Sequence, residues 1–80
     1  MIKARIFVTL KKGVLDPQGK AIEGALFSLG FDGIEAVRQG KVFDITLEGD
    51  DRAKAQSDIT AMCEKLLANT VIENYAIEIE

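Results

Sequence analysis

The sequence predicts an α+β fold, built in the order strand, helix, extended pair, helix, strand (βαββαβ), in one domain over residues 1–80. Three observations carry that prediction. Apolar and polar residues alternate near both ends of the chain and again in its middle, the period of a strand with one buried face. Between these stretches, two segments space their apolar residues by three and four, the period of a helix. Each helical segment opens on an aspartate and closes on a glycine or asparagine.

Residues 2–11 alternate Ile2, Ala4, Ile6, Val8 and Leu10 against Lys3, Arg5, Phe7, Thr9 and Lys11. This is the first strand, and "KKGVLD" connects it onward. Helix one is expected from about Pro17 to Leu29, with Asp16 as N-cap and Pro17 as the first helical residue. Ile22, Ala25, Leu26 and Leu29 fall on its apolar stripe, and Gly30 is its left-handed C-cap. Gly19 is out of place in the first turn, where it costs about 1 kcal/mol relative to alanine.

Residues 33–49, "GIEAVRQGKVFDITLEG", read as extended. Ile34 and Ala36 alternate in one phase, Phe43, Ile45 and Leu47 in the other, and the switch lies at "RQGK". Two readings stand: a tight hairpin turn at Gln39-Gly40, or a bulge at Gly40 in one bent strand. Helix two follows, capped by Asp50 or Asp51, with Ala55, Ile59, Met62, Cys63, Leu66 and Leu67 as its apolar stripe and Asn69 as a left-handed C-cap. The last strand, "NYAIEIE", turns Tyr75, Ile77 and Ile79 inward and Glu78 and Glu80 outward. This order is that of ferredoxin-like α+β folds, an antiparallel sheet with two helices on one face. Phe7 then lies on the other face, with Val42 and Ala76 as companions, and is a candidate subunit contact.

Composition narrows the function. A chain of 80 residues buries only about 60% of its unfolded surface and tends to lean on a disulfide, a metal or a partner. A single cysteine and no histidine leave no intramolecular disulfide and no Cys/His zinc spacing, so oligomerisation is expected, and an exposed Phe7 suits a homodimer and a homotetramer equally. Net charge is −3 and the ten basic residues are scattered, which disfavours nucleic acid as a partner. No signal peptide and no membrane-length apolar run is seen, so a soluble, cytoplasmic protein is expected, with no membrane partner.

The catalytic inventory is thin. Without histidine there is no Ser-His or Cys-His pair. Cys63 reads as a core thiol, Asp50-Asp51 as a helix cap, and "GVLDPQG" lacks the Lys-Ser/Thr of a phosphate loop. No catalytic and no metal-binding residue is assigned. Arg38 and Lys41, flanking Gly40, are candidates for contact with an acidic partner surface or a phosphate-bearing ligand. An accessory subunit or a regulatory binding module is the expectation from the residues.

Three stretches, "LKKGVLDPQGKAIEGAL", "VRQGKVFDITLEG" and "MCEKLLANTVIENYAIEIE", closely resemble the PurS family, in the same order and spacing nearly end to end. Thr70 departs from the family, which usually carries proline there. The resemblance implies a non-catalytic small subunit of phosphoribosylformylglycinamidine synthase, in purine biosynthesis. It would hold together a glutaminase (PurQ-type) and an ATP-dependent synthetase (PurL-type) and support ammonia transfer between them. ATP, magnesium and glutamine would be used by those partners, with no cofactor on this chain. It also suggests a use for Gly19: without a side chain there, another backbone or subunit can come close. Asp16, Pro17, Gln18 and Gly19 would form a docking corner, Arg38, Gly40 and Lys41 polar interface contacts, and Asn69, Glu73 and Tyr75 a second contact region. On that reading Gly19→Ala would leave the monomer intact or slightly more stable. The alternative is an ACT-like regulatory module binding a small molecule at a dimer interface near Gly13; a single-stranded RNA binder is weaker, for want of aromatics interleaved with basic residues.

Overall fold

The computed structural model describes residues 1–80. Strand β1 (Ile2–Leu10) leads to helix α1 (Pro17–Ser28), strand β2 (Gly40–Leu47), helix α2 (Arg52–Met62), a π turn over Cys63–Leu67, and strand β3 (Glu73–Ile79). The sheet is antiparallel with β1 in the centre, in the order β2-β1-β3. The expected alternation holds along β1, where Ile2, Ala4, Ile6 and Val8 are buried. Ile6 and Val8 meet Ile59 and Cys63 of α2 and the π turn, all four fully buried. Phe43, Ile45 and Leu47 of β2 and Tyr75, Ile77 and Ile79 of β3 pack around this centre from either side.

Both helix starts are as read. Asp16 caps α1 through its side chain and Asp51 caps α2 in the same way, accepting the Lys54 N–H at 3.0 Å. The end of α1 is a Schellman motif: Gly30 has φ +96°, its N–H donates to the Phe27 carbonyl, and the Phe31 N–H donates to the Leu26 carbonyl, each at 3.0 Å.

The α+β class, the antiparallel sheet and the ferredoxin-like arrangement hold; what differs is how much of that arrangement one chain completes. The stretch 33–39 forms no strand, and the sheet has three. Gly40 is neither turn nor bulge: it is the first residue of β2, opposite Thr9. A Cβ on it would stand 2.6 Å from the Val8 carbonyl oxygen, so close pairing with β1 excludes a side chain there.

Only α2 packs on the sheet. Helix α1 stands away from the core, with Ile22, Phe27 and Leu29 exposed and Leu26 half-buried. The resulting molecule measures 49 × 24 × 15 Å with a radius of gyration of 16.2 Å. A compact chain of this length would have about 12 Å.

The second difference is at the end of α2. Asn69 is not left-handed, since no residue other than glycine has positive φ. The helix ends in the π turn, where the Ala68 N–H donates to the Cys63 carbonyl at 3.0 Å. The wider turn shifts the inward stripe by one residue, so that Ala68 is buried and Leu66, expected in the core, is 83% exposed.

Candidate functional site

The expected interface residues fall into two places. Most of them gather where the β1–α1 connection crosses the segment that enters β2, and the organising residue is Asp16. Its carboxylate accepts the Gly19 N–H at 2.9 Å, which is the helix cap, and the Gln39 N–H at 2.7 Å, which is a tie to a segment 23 residues on. The side chain is almost fully buried. These two backbone N–H groups, Gln39 first, hold the Asp16 carboxyl below its ordinary pKa against the opposing effect of burial, with the Arg38 charge adding to them.

Arg38 closes the same crossing from the other side. Its guanidinium donates to the Val14 carbonyl at 2.8 Å and to the Lys11 carbonyl at 3.1 Å, satisfying loop carbonyls ahead of α1. Gly19 lies inside this knot. A Cβ built on it would overlap the Val37 carbonyl oxygen and stand 2.8 Å from Asp16 Oδ2. The backbone that approaches Gly19 is therefore the chain's own, and the expected tolerance of alanine at this position is corrected. Pro17 and Gln18 are exposed beside it.

Asp16, Gln18, Gly40, Lys41 and Glu73 line one open hollow, with Gln39 and with Val8 and Leu10 at the C-terminal end of β1. Lys41 Nζ lies 3.7 Å from Glu73 Oε2. The Glu73 carboxylate also accepts the Asn69 N–H at 2.7 Å, and Asn69 Oδ1 accepts the Val71 N–H at 3.2 Å. The two contact regions read separately from the sequence are thus one, joined across β1 by the Lys41–Glu73 pair. Tyr75 stands next to it, and the Glu64 carboxylate on the π turn holds the Tyr75 phenol above its ordinary pKa, with burial acting in the same direction.

Phe7 is elsewhere, on the sheet face that α2 leaves open. The register sets Phe7 opposite Val42 on one side and Ala76 on the other, an apolar row across all three strands. The next row carries charge: Arg5 Nε donates to Asp44 Oδ1 at 2.8 Å, with a longer second bond of 3.4 Å, and Glu78 lies across from Arg5 on β3. The pairing raises the Arg5 pKa and lowers that of Asp44. Gly13 sits in an exposed turn with φ +90°.

Sequence reasoning missed a third group: the exposed apolar side chains Phe27, Phe31, Leu66 and Val71. Phe27 and Phe31 flank the C-cap of α1 and carried no periodic signal. Leu66 carried the wrong one, because helical spacing assumes no π turn. No group of three or more Cys, Asp or Glu side chains converges as metal ligands would, and no helix is long and apolar enough to cross a membrane. Burial raises the Cys63 thiol pKa, with the Glu64 charge adding to it, opposite to the depression a thiolate nucleophile needs.

Comparison with known proteins matches this arrangement over its whole length. The phosphoribosylformylglycinamidine synthase subunit PurS of Synechocystis is 53% identical over 75 residues, covering 94% of this chain and 75% of that protein. Its counterpart in Bacillus subtilis is 48% identical over 80 residues, covering 100% and 94%. The solved structure of B. subtilis PurS superposes with a TM-score of 0.90 at 48% identity, covering 100% of this chain and 99% of that one. A chain of PurLQS from Thermotoga maritima superposes with a TM-score of 0.86 at 27% identity, covering 100% and 99%. The model of the PurS family, described as phosphoribosylformylglycinamidine (FGAM) synthase, matches residues 3–80, and the chain belongs to that family.

Proposed function

We propose that this chain is the non-catalytic subunit of a cytoplasmic phosphoribosylformylglycinamidine synthase, holding a PurQ-type glutaminase against a PurL-type synthetase and supporting passage of ammonia between them. ATP, magnesium and glutamine are used by those partners. The observation that carries this reading is the unpartnered helix α1. Its apolar stripe has no sheet over it, and its direction is fixed by a buried cap and an arginine clamp. A helix held rigidly away from its own core is pre-organised to be covered by another chain, and so avoids part of the ordering cost of association. We infer that a second copy covers it, in a homodimer or homotetramer. The relative solved as PurLQS supports the further association with two other subunits.

The test is glutamine-dependent formylglycinamidine formation by the matching synthetase and glutaminase, with and without this chain, against ammonia as the alternative nitrogen donor. Glutamine-driven turnover should require the chain and ammonia-driven turnover should be far less affected. Equal glutamine-driven turnover without it would overturn the reading.

A further inference from the structure

The inward face of the sheet is apolar along most of its length, but at the end where β2 and β3 begin it carries charge. Phe43, Ile45, Tyr75 and Ile77 pack on the core, and the same alternation brings Lys41 and Glu73 to that side, opposite Val8 and Leu10 of β1. Pairing within the chain does not fully match these charges. The Glu73 side chain is only 13% exposed, and its carboxylate is fixed through Oε1 by the Asn69 N–H at 2.7 Å. The other oxygen, Oε2, has only the Lys41 ammonium, at 3.7 Å, outside hydrogen-bonding distance. A shielded carboxylate costs free energy unless its lone pairs are matched, so this oxygen calls for a donor that the chain itself does not supply.

We propose that the hollow at Lys41 and Glu73 binds the zwitterion of a free amino acid with a short aliphatic side chain. The ligand's ammonium donates to Glu73 Oε2, and its carboxylate accepts from Lys41, whose exposed side chain swings aside to admit it. Two charge-assisted hydrogen bonds then replace one loose ion pair. Charge selects a dipolar ligand. A lone anion would face the carboxylates of Glu73 and Asp16, and a lone cation would face Lys41 with Arg38 close by, whereas a zwitterion adds no net charge. Gln18 and Gln39 present amide groups at the exposed rim, and half-buried Leu10 gives the ligand's side chain an apolar wall. Size sets an upper limit: the hollow holds about 190 Å³, short of the roughly 300–1,000 Å³ of pockets for drug-sized ligands. The proposal does not rest on the functional reading above.

Amide NMR titrations of the isotope-labelled chain test it. L-Alanine and L-valine should shift the Gly40, Lys41 and Glu73 amide signals saturably at millimolar concentration. Propionate and ethylamine, which are alanine without its ammonium and without its carboxylate, should bind at least about tenfold more weakly at the same ionic strength. Glu73→Gln keeps an oxygen for the Asn69 N–H, and Lys41→Gln changes an exposed side chain, so both should fold as the parent does, as circular dichroism can check. Each should bind alanine about tenfold more weakly than the parent. Three results would overturn the proposal: no saturable shift with either amino acid, propionate or ethylamine binding as tightly as alanine, or Lys41→Gln binding as the parent does. Lys41→Gln decides the matter even where Glu73→Gln fails to fold.

Discussion

At Gly19 and Asp16 the backbone path is settled by two atoms' worth of space and one carboxylate. Alanine would bring a Cβ against the Val37 carbonyl, which is backbone and cannot rotate away. The better helix propensity of alanine, about 1 kcal/mol, opposes an overpacking cost of about 1–3 kcal/mol. Gly19→Ala should therefore lower unfolding free energy by about 1 kcal/mol, and by up to about 2 kcal/mol, in urea denaturation, and an unchanged or raised midpoint would show that residues 37–39 yield freely. Asp16 makes a pH-dependent contribution. Its folded pKa is depressed, so the stability it adds is complete above the unfolded carboxylate value of about 3.9 and is lost as pH falls through the lower folded value. Asp16→Asn keeps an oxygen for one N–H but offers an NH2 to the other. The variant should melt lower than the parent at pH 7, and its melting temperature should fall less steeply than the parent's between pH 4 and pH 2. Parallel acid profiles for the two proteins would assign acid sensitivity to other carboxylates, Asp44 first among them.

Elements were legible in the sequence to the extent that their signals are local. The caps at Asp16 and Asp51, the Schellman glycine at 30 and the alternation of β1 and β3 depend on residues within a turn or two of one another, and all appear as read. The stretch 33–39 alternates well enough for a strand, but a strand also needs a neighbour. Both edges of β1 are taken by β2 and β3, and Asp16 and Arg38 bind this stretch to the β1–α1 loop instead. Leu66 was misplaced because an inserted π residue changes no composition. Of the candidate site, residue identities were legible, but the union of Lys41 with Glu73 required the register of a sheet. The turn after α2 yields a prediction of its own. The Ile72 and Glu73 N–H groups donate to the Asn69 carbonyl at 3.0 and 2.7 Å, which places Thr70 second in the turn, with its own N–H unbonded. Proline favours that position. Thr70→Pro should raise stability by about 0.4–1 kcal/mol, chiefly by restricting the unfolded chain. A lower melting temperature would mean that the dihedral angles at residues 69–70 do not suit proline.

The whole molecule is too long for its core. Eight apolar residues are buried, all of them in the sheet, in α2 and in the turn that follows it, while α1 contributes none. A monomer built so should be marginally stable, and its stability should depend on concentration, because association buries what folding leaves open. The apolar stripe of α1 is where that dependence should concentrate. Ile22 is 39% and Leu29 74% exposed, so Ile22→Glu with Leu29→Glu removes apolar surface that the monomer does not use. The caps and the Schellman hydrogen bonds are backbone or Asp16 interactions and remain in place. The double variant should keep its helical circular dichroism yet lose the concentration dependence of its melting temperature, and in light scattering it should run at a smaller mass than the parent. A variant that associates as the parent does would move the self-contact to the Phe7 row. A variant that unfolds would mean that α1 leans on the sheet in solution, and the arrangement of a sheet with both helices on one face would then be completed within a single chain.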